Sequence, residues 1–379
     1  MTMQRTYLDH NATAPLRPEA RAAVIAALDE VGNPSSVHSE GRRARAIVEE
    51  ARDKIAALVG ARPAQVVFTS GATEANAWVM RAGWDLVIAP MTEHDSVLAP
   101  ARAAATRVIN LRVAESGEVL RGGLVETLER EAGKDGRRLL SIQLANSETG
   151  VIQPVAEVAA IARSHGASVH CDAVQAAGRV PVDLAALDVD CLSLSAHKIG
   201  GPKGVGVLVV RDGFEPAALI SGGGQERRRR SGTENVAGIA GFGDAAEAAR
   251  RDLADAERIT RLRDRLEQGA RDAVPTTVAI AKDAHRLGNT ASLALPGHTS
   301  ETLVIKLDLA GIAVSAGAAC SSGKVGTSPV LAAMGLPPEV ANSVVRVSLG
   351  WNSTDSDVDR FVEAWAAIAN AKGRQRAAA

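Results

Sequence analysis

The sequence predicts an α/β protein: a mostly parallel, seven-stranded sheet covered by helices on both faces, joined to a smaller α+β unit. Three observations predict it. Short β-prone apolar runs between residues 65 and 210 alternate with helical patterns, the rhythm of a sheet whose crossovers are helices. At 379 residues the chain is too long for one simple core. An amphipathic stretch from Val236 to Ala270 then separates those runs from shorter elements.

Tyr7 to Asn11 reads as a short extended segment, and Pro15 and Pro18 lead into a helix from Glu19 to Leu28. Gly32 to Ser36 has turn chemistry. The next helix spans Ser39 to Val59, with Ala44, Ile47, Val48, Ala51, Ile55 and Leu58 on one face and Gly60 as its stop. Strands are expected at Gln65–Thr69, Trp84–Ala89, Arg107–Leu111, Leu139–Leu144, Ser168–Asp172, Val189–Ser195 and Val205–Val210. Helices at Thr73–Met80, Leu124–Ala132 and Val155–His165 lie between them. The 236–270 helix, with a possible break, connects the two units.

Composition narrows the function. A formal net charge of −1 gives no broad electrostatic footprint for nucleic acid or an anionic membrane, and aromatic residues are scarce. No stretch is long and apolar enough to span a membrane, and the amino terminus has no apolar h-region. Three cysteines without CxxC spacing argue against a disulfide framework and against a zinc knuckle, so a reducing cytoplasm is the expected setting.

The chemistry falls at strand ends, where open α/β sheets bind ligands. Ser193 to Lys203 puts Lys198 at the end of an apolar run, beside Ser195 and His197. A desolvated amine there is a nucleophile for an aldehyde cofactor; the alternative is a lysine that ends a strand and snorkels to water. Phe68 to Asn76 is a strand, a small-residue turn and a helix start. Its free amides, with Gly71, Ser70 and Thr73, form an anion cradle or, more simply, a capping box. It lacks the Gly-Lys-Ser/Thr ending of a Walker loop. His94 could stack on a planar cofactor, shuttle a proton, or serve structure alone. Asp172 ends an apolar strand and needs a partner; a protonated pyridine nitrogen is one, capping of the next turn another.

Together these motifs resemble the pyridoxal-phosphate-dependent cysteine desulfurases of the NifS/IscS type, in the class V aminotransferase family with the aspartate-aminotransferase-like type I fold. The resemblance runs from Tyr7 to about Gly350 through YLDHNATAP, NPSSVH, FTSGATEAN, EHDSVL, NSETGVIQP, HCDAVQAAGRVPVDL, SAHKIGGPKGVG, GGGQERRRRSGTENV, AVSAGAACSSG and VVRVSLG.

The resemblance implies that residues 15–258 form the large cofactor-binding domain. Residues 1–14 and 259–379 would form a small domain carrying the catalytic cysteine loop. It implies that Lys198 holds pyridoxal 5'-phosphate as an aldimine and moves the substrate's Cα proton, and that Asp172 pairs with the pyridine nitrogen. Gln175 would meet the ring oxygen, His94 would stack on the ring as a catalytic residue beside Lys198 and Cys320, and Asn146 would also contact the cofactor. Ala72, Thr73, Ser195 and His197 would hold the phosphate, joined by Thr233 from the other subunit of a homodimer. Asn146 and Arg346 would bind the substrate's carboxylate end, Arg346 being the better anchor because a guanidinium fork matches a carboxylate. Cys320, in a small-residue loop, would take the sulfur of L-cysteine as a persulfide, releasing L-alanine. It would pass that sulfur to an acceptor or scaffold protein for iron–sulfur assembly or tRNA thiolation. Cys171 and Cys191, in apolar strands, read as inert core residues.

The chain departs from that pattern at Ala196, where glycine is common, and at Ala318, where serine is common. It departs also at Arg228 and Arg229, which complete a run from Arg227 to Arg230. Such a run reads by default as a solvated face, with docking of an acidic sulfur acceptor as the functional reading. A selenocysteine lyase or an aminotransferase on the same fold, and a non-catalytic scaffold, are the rival functions.

Overall fold

The structure, a computed structural model, describes residues 5–104, 107–317 and 328–377. Strand β1 (Thr6–Tyr7) leads into helix α1 (Pro18–Leu28), whose Pro18 occupies a first-turn position where the missing N–H has no partner to lose. Helix α2 (Ser39–Leu58) buries Ala44, Val48, Ala51, Ile55 and Leu58, and His38 caps it by accepting from the Gly41 amide. The main sheet is then laid down by β2 (Val66–Thr69), β3 (Leu86–Pro90), β4 (Arg107–Leu111), β5 (Arg138–Gln143), β6 (Ser168–Asp172), β7 (Cys191–Ser195) and β8 (Gly206–Val210). Helices α3 (Ala72–Met80), α4 (Asp95–Ala103), α5 (Arg121–Arg130) and α6 (Val155–Ser164) alternate with them.

The strand order is β2-β8-β7-β6-β5-β3-β4. Strand β8 is antiparallel to both neighbours, and the other pairings are parallel. Alternate residues feed two cores. Phe68, Ile88, Ile142, Cys171 and Leu194 pack on one face, and Val67, Val87, Leu139, Cys191 and Leu208 on the other. Burial pushes the Cys171 and Cys191 thiols well above their usual range. Strand ends differ from the sequence reading by one or two residues. Trp84, for example, stays in the turn before β3, donating its indole N–H to the Val79 carbonyl.

The stretch expected as one helix breaks into α7 (Val236–Asp252) and α8 (Ala256–Ala273) at a 3-10 turn, Leu253–Asp255. The two halves bury different faces. Helix α7 packs on α1 and α2, where Gly243 lies against Ala51 so closely that a Cβ would come within 2.7 Å of it. Helix α8 sends Leu262, Leu266 and Ala270 into another core, with Leu8, Leu293, Val345, Phe361 and Trp365. That core carries β9 (Val278–Ala279), β10 (Thr290–Ala294), β12 (Ser315–Ala316) and β13 (Val344–Ser348), ordered β12-β13-β10-β9 and antiparallel, and a C-terminal helix, Asp355–Ala377. Strand β11 (Ile312–Ala313) pairs in parallel with β1, so the amino-terminal strand joins the carboxyl-terminal elements. Among the described residues no helix is long and apolar enough to cross a membrane.

Strand β8 enters the sheet at the edge where the parallel strands end, and it does so through Gly206. A Cβ there would lie 2.6 Å from the Gly71 backbone and 2.7 Å from the Leu194 carbonyl oxygen. Gly206→Ala is therefore expected to displace the turn before α3 and destabilise the protein by about 1–3 kcal/mol. Urea unfolding reads the change; wild-type stability would show that the turn gives way freely.

Candidate active site

A cavity of about 530 Å³ opens at the carboxyl edge of the sheet. The in-register pairing of β5, β6 and β7 sets Gln143, Asp172 and Ser193 side by side near its floor. Both Asp172 oxygens are held: Oδ1 accepts from the Val174 amide at 3.0 Å, and Oδ2 from Asn76 Nδ2 at 2.7 Å. Asn76 also donates to Ser96 Oγ (2.9 Å), and Ser96 meets His94 Nδ1 through both its hydroxyl (2.8 Å) and its amide (3.0 Å). A backbone amide can only donate, so Nδ1 accepts and the ring proton is assigned to Nε2. His94 thereby caps α4 and faces the cavity at once. Sequence reading found Asp172 and His94 but missed Asn76 and Ser96. The available signal was a fully buried asparagine among Ala75, Trp78 and Val79 on the inner face of α3.

Lys198 closes a 3-10 turn after β7, and its Nζ donates to the carbonyls of Asn11 (2.5 Å) and Ala12 (3.0 Å). Ala196 keeps out of the left-handed region, so no glycine is required there. His197 Nδ1 meets Thr13 Oγ1 at 3.2 Å; burial, then the charges of Lys198 and Lys203, lower its pKa to about 4. Gln175 Nε2 donates to the Asn11 carbonyl at 3.0 Å. Ala72, Thr73, Ser195 and His197 line the same cavity, around the amino end of α3. A Cβ on Gly71 would meet nothing within 4 Å, so the cradle is open.

Arg346, on β13, is buried. It pairs with Asp9 (2.8 Å) and donates from Nη1 to the Ser147 carbonyl (3.3 Å), while its Nε has no partner among the described residues. Arg346 lines the cavity, and a guanidinium there suits a carboxylate. Asp9, which also accepts from Ser315, was missed in the sequence, where it lies far from Arg346.

Two expected residues stand elsewhere, and a third lies outside the described residues. Asn146 does not line the cavity, although Ala145 and Ser147 do. Its Nδ2 donates to the Thr92 carbonyl and its Oδ1 accepts from the Glu148 and Thr149 amides, so its side chain is spent on a turn. Thr233 is exposed in a neighbouring cleft of about 200 Å³ with Ser70 and Gly204. Cys320 lies outside the described residues, as does Ala318. In the arginine run, Arg229 pairs with Glu215 and Arg230 with Glu74, whereas Arg227 and Arg228 are exposed.

Two buried carboxyl groups accompany the site. Burial, then the Asp172 charge, push Glu93 well above the usual carboxylate range; its Oε1 accepts from the Gln143 amide. Burial raises Glu148 to about 7 against the opposing pull of Ser328, whose hydroxyl donates to it at 2.6 Å, and of Arg346 and His94.

An amine, a held carboxylate, an open helix amino end and a guanidinium thus face one cavity. This set matches the demands of pyridoxal phosphate and an amino-acid substrate. The profile described as aminotransferase class-V matches residues 6–361. The chain belongs to the class-V aminotransferase family. Among relatives in that family, it is 41% identical over 371 residues to a cysteine desulfurase of Cereibacter sphaeroides, covering 95% of each chain. It is 38% identical over 368 residues to the cysteine desulfurase IscS of Dictyoglomus turgidum, covering 94% of this chain and 92% of that protein. The solved structure of a NifS-like protein from Rickettsia africae superposes with a TM-score of 0.88 at 34% identity, covering 97% of this chain and all of that one. The fold is thus the type I fold of this class-V family.

Glu148 gives a pH prediction. Folded protein keeps this proton up to about pH 7, whereas a solvated carboxyl loses it near 4.5. The group's contribution is therefore full below about pH 4.5 and is lost as pH rises to about 7. Glu148→Gln cannot ionise, so its stability relative to wild type should rise across that window by on the order of 3 kcal/mol. Urea unfolding at several pH values tests this; a difference that stays flat would mean that Glu148 is ionised throughout.

Proposed function

We propose that this protein is a cysteine desulfurase that binds pyridoxal 5'-phosphate, converts L-cysteine to L-alanine and passes the sulfur on through Cys320. The observation that carries the reading is the facing of Lys198, Asp172 and the amino end of α3 across one cavity, with Arg346 on its wall. When bound, pyridoxal phosphate supplies the electron sink that lets a proton leave the substrate's Cα.

The chain's own residues do the rest. Lys198 is the amine that anchors the cofactor and then carries the Cα proton, its Nζ steered by the Asn11 and Ala12 carbonyls. Asp172, fixed through both oxygens, would present negative charge to the ring nitrogen, and Gln175 an amide donor to the ring oxygen. His94, held by Ser96, would pack over the ring. The amides of α3 at Ala72 and Thr73, with Ser195 and His197, would hold the phosphate, joined by Thr233 from the partner subunit of a homodimer. The Arg346 guanidinium on the cavity wall would take the substrate carboxylate. Asn146 supports the site by holding the 147–149 turn behind it. The Cys320 thiolate attacks the substrate's Sγ. A sulfur–sulfur bond forms, the Cβ–Sγ bond breaks with its electrons left on carbon, and protonation there yields alanine.

The grouping of cores supports a large domain of residues 15–258 and a small one of 1–14 and 259–379. We place the homodimer in the cytoplasm, delivering sulfur to an acceptor or scaffold protein for iron–sulfur assembly or tRNA thiolation; the IscS-type relatives support that delivery role. The exposed Arg227 and Arg228 suit an acidic acceptor. No observation favours transamination or selenocysteine lysis as the main activity.

Anaerobic single turnover with L-cysteine should yield one alanine per site and a sulfur adduct on Cys320, read by peptide mass; Cys320→Ala should give neither. Alanine from the alanine variant would move the sulfur chemistry to another group. Reversing charge at Arg227 and Arg228, the exposed pair, should slow transfer to a purified acidic acceptor several-fold without changing alanine formation. Unchanged transfer would leave the run as a solvated face.

A further inference from the structure

Arg179 has no role in the chemistry above, yet it touches a residue that does. It lies at the end of the turn 174–179 after β6. Its Nη1 donates to the side-chain oxygen Oε1 of Gln175 and to the Gln175 main-chain oxygen (2.9 Å), and its Nη2 to the His10 carbonyl (3.5 Å). All three partners are amide oxygens. On its other side lies a second cavity of about 220 Å³, lined also by Arg17, Lys198 and Arg286.

A guanidinium only donates and a carbonyl only accepts, so Arg179 and Asn11 together decide which way the Gln175 amide points. Oε1 faces Arg179, and Nε2 faces the Asn11 carbonyl and the 530 Å³ cavity that Gln175 lines. Nε2 has two hydrogens, and Asn11 takes one, which leaves the other for an acceptor in the cavity. A flipped amide would set Oε1 against the Asn11 carbonyl and an N–H against Arg179, so both partners hold its direction, and Arg179 is the one that does so with charge. Burial, then the Arg346 charge, lower the guanidinium to about 9, and it stays charged at neutral pH.

We propose that Arg179 is a positioning residue that acts through Gln175, locking its amide with the N–H side toward the cavity and placing a positive charge behind that donor. The proposal rests on the pyridoxal-phosphate reading, in which Gln175 meets the ring oxygen. A donor backed by positive charge stabilises that oxygen as an anion and disfavours protonation of the neighbouring nitrogen that links cofactor and lysine.

The test is a pH titration of the holoenzyme's visible band. Arg179→Met should raise the apparent pKa of that band by about one unit, and Arg179→Lys, which keeps a charged donor, should restore most of it. Arg179→Gln, uncharged yet able to hydrogen-bond, should shift in the same direction and serves if the Met variant does not fold. In a Gln175→Ala background the Arg179 substitutions should add nothing. A wild-type titration in the folded Arg179 variants, or a shift undiminished in the Gln175→Ala background, overturns the role of Arg179. Wild-type protein that shows no visible band with added pyridoxal phosphate overturns the cofactor reading itself, a different result.

Discussion

One main-chain oxygen, that of Asn11, accepts from both Lys198 and Gln175, and the rest of the site depends on where it sits. Its position comes from both cores. Strand β1 is paired with β11, Asp9 is bound to Arg346 and Ser315, and the Asn11 side chain donates to the Ser147 carbonyl and to Thr290. From the other side, the Ala14 amide donates to the His197 carbonyl. Hydrogen bonds to charged groups contribute about 1.5–3 kcal/mol each, but here they are not independent. Moving the 9–14 segment would disengage the lysine, the glutamine and the arginine together. The short amino-terminal strand is thus the piece that keeps residues from distant parts of the chain in one geometry.

The electrostatics around that geometry follow one rule: buried titratable groups behind the site are held neutral. Burial lowers His170, wedged between Ser141 and Ser193, to about 4, and His197 likewise. Burial lowers His10 to about 3, helped by the charges of Arg179 and Arg17. Glu93 and Glu148 are pushed the other way, toward the protonated form. Neutral walls of low polarisability leave the fields of Lys198, Asp172, Arg346 and Arg179 less screened than water would. A carboxylate fixed through both oxygens, as Asp172 is, then needs no rearrangement when a positive ring nitrogen faces it.

Much of this was legible in the sequence because it depends on local pattern. Apolar runs buried on both faces gave the strands of the main sheet, and the polar residue ending each run gave Asp172 and Ser195. Helical periodicity gave α2 and α6, with ends shifted by a residue. Long-range partners left no local trace. Asp9 meets Arg346 only because the segment after β1 meets β13 across an isolated Asp9–Ser348 bridge, and Asn76 reaches Asp172 only because α3 lies over β6. Asn146 shows the opposite case. It sits in a motif at the right place, yet its amide is spent on its own turn, a local hydrogen bond that competes with any role toward a ligand.

The arginine run shows why a string of like charges does not reveal its own structure. Glu226, Arg227 and Arg228 occupy successive left-handed conformations, with φ of 44°, 57° and 65°, a costly choice for residues other than glycine. The cost is borne by Glu226, which is buried and forms two hydrogen bonds to Arg52 (2.8 and 2.9 Å) while accepting from the Phe68 amide. That anchor ties the turn to β2 and α2 and reverses the chain, so four consecutive arginines do not share a face. Arg229 and Arg230 fold back onto Glu215 and Glu74, and Arg227 and Arg228 project outward. Glu74 also bonds to Ser70 at the start of α3, so Arg230 connects this turn to the edge of the anion cradle. Backbone strain held by one buried ion pair therefore decides which charges are offered to a partner and which are kept for the site.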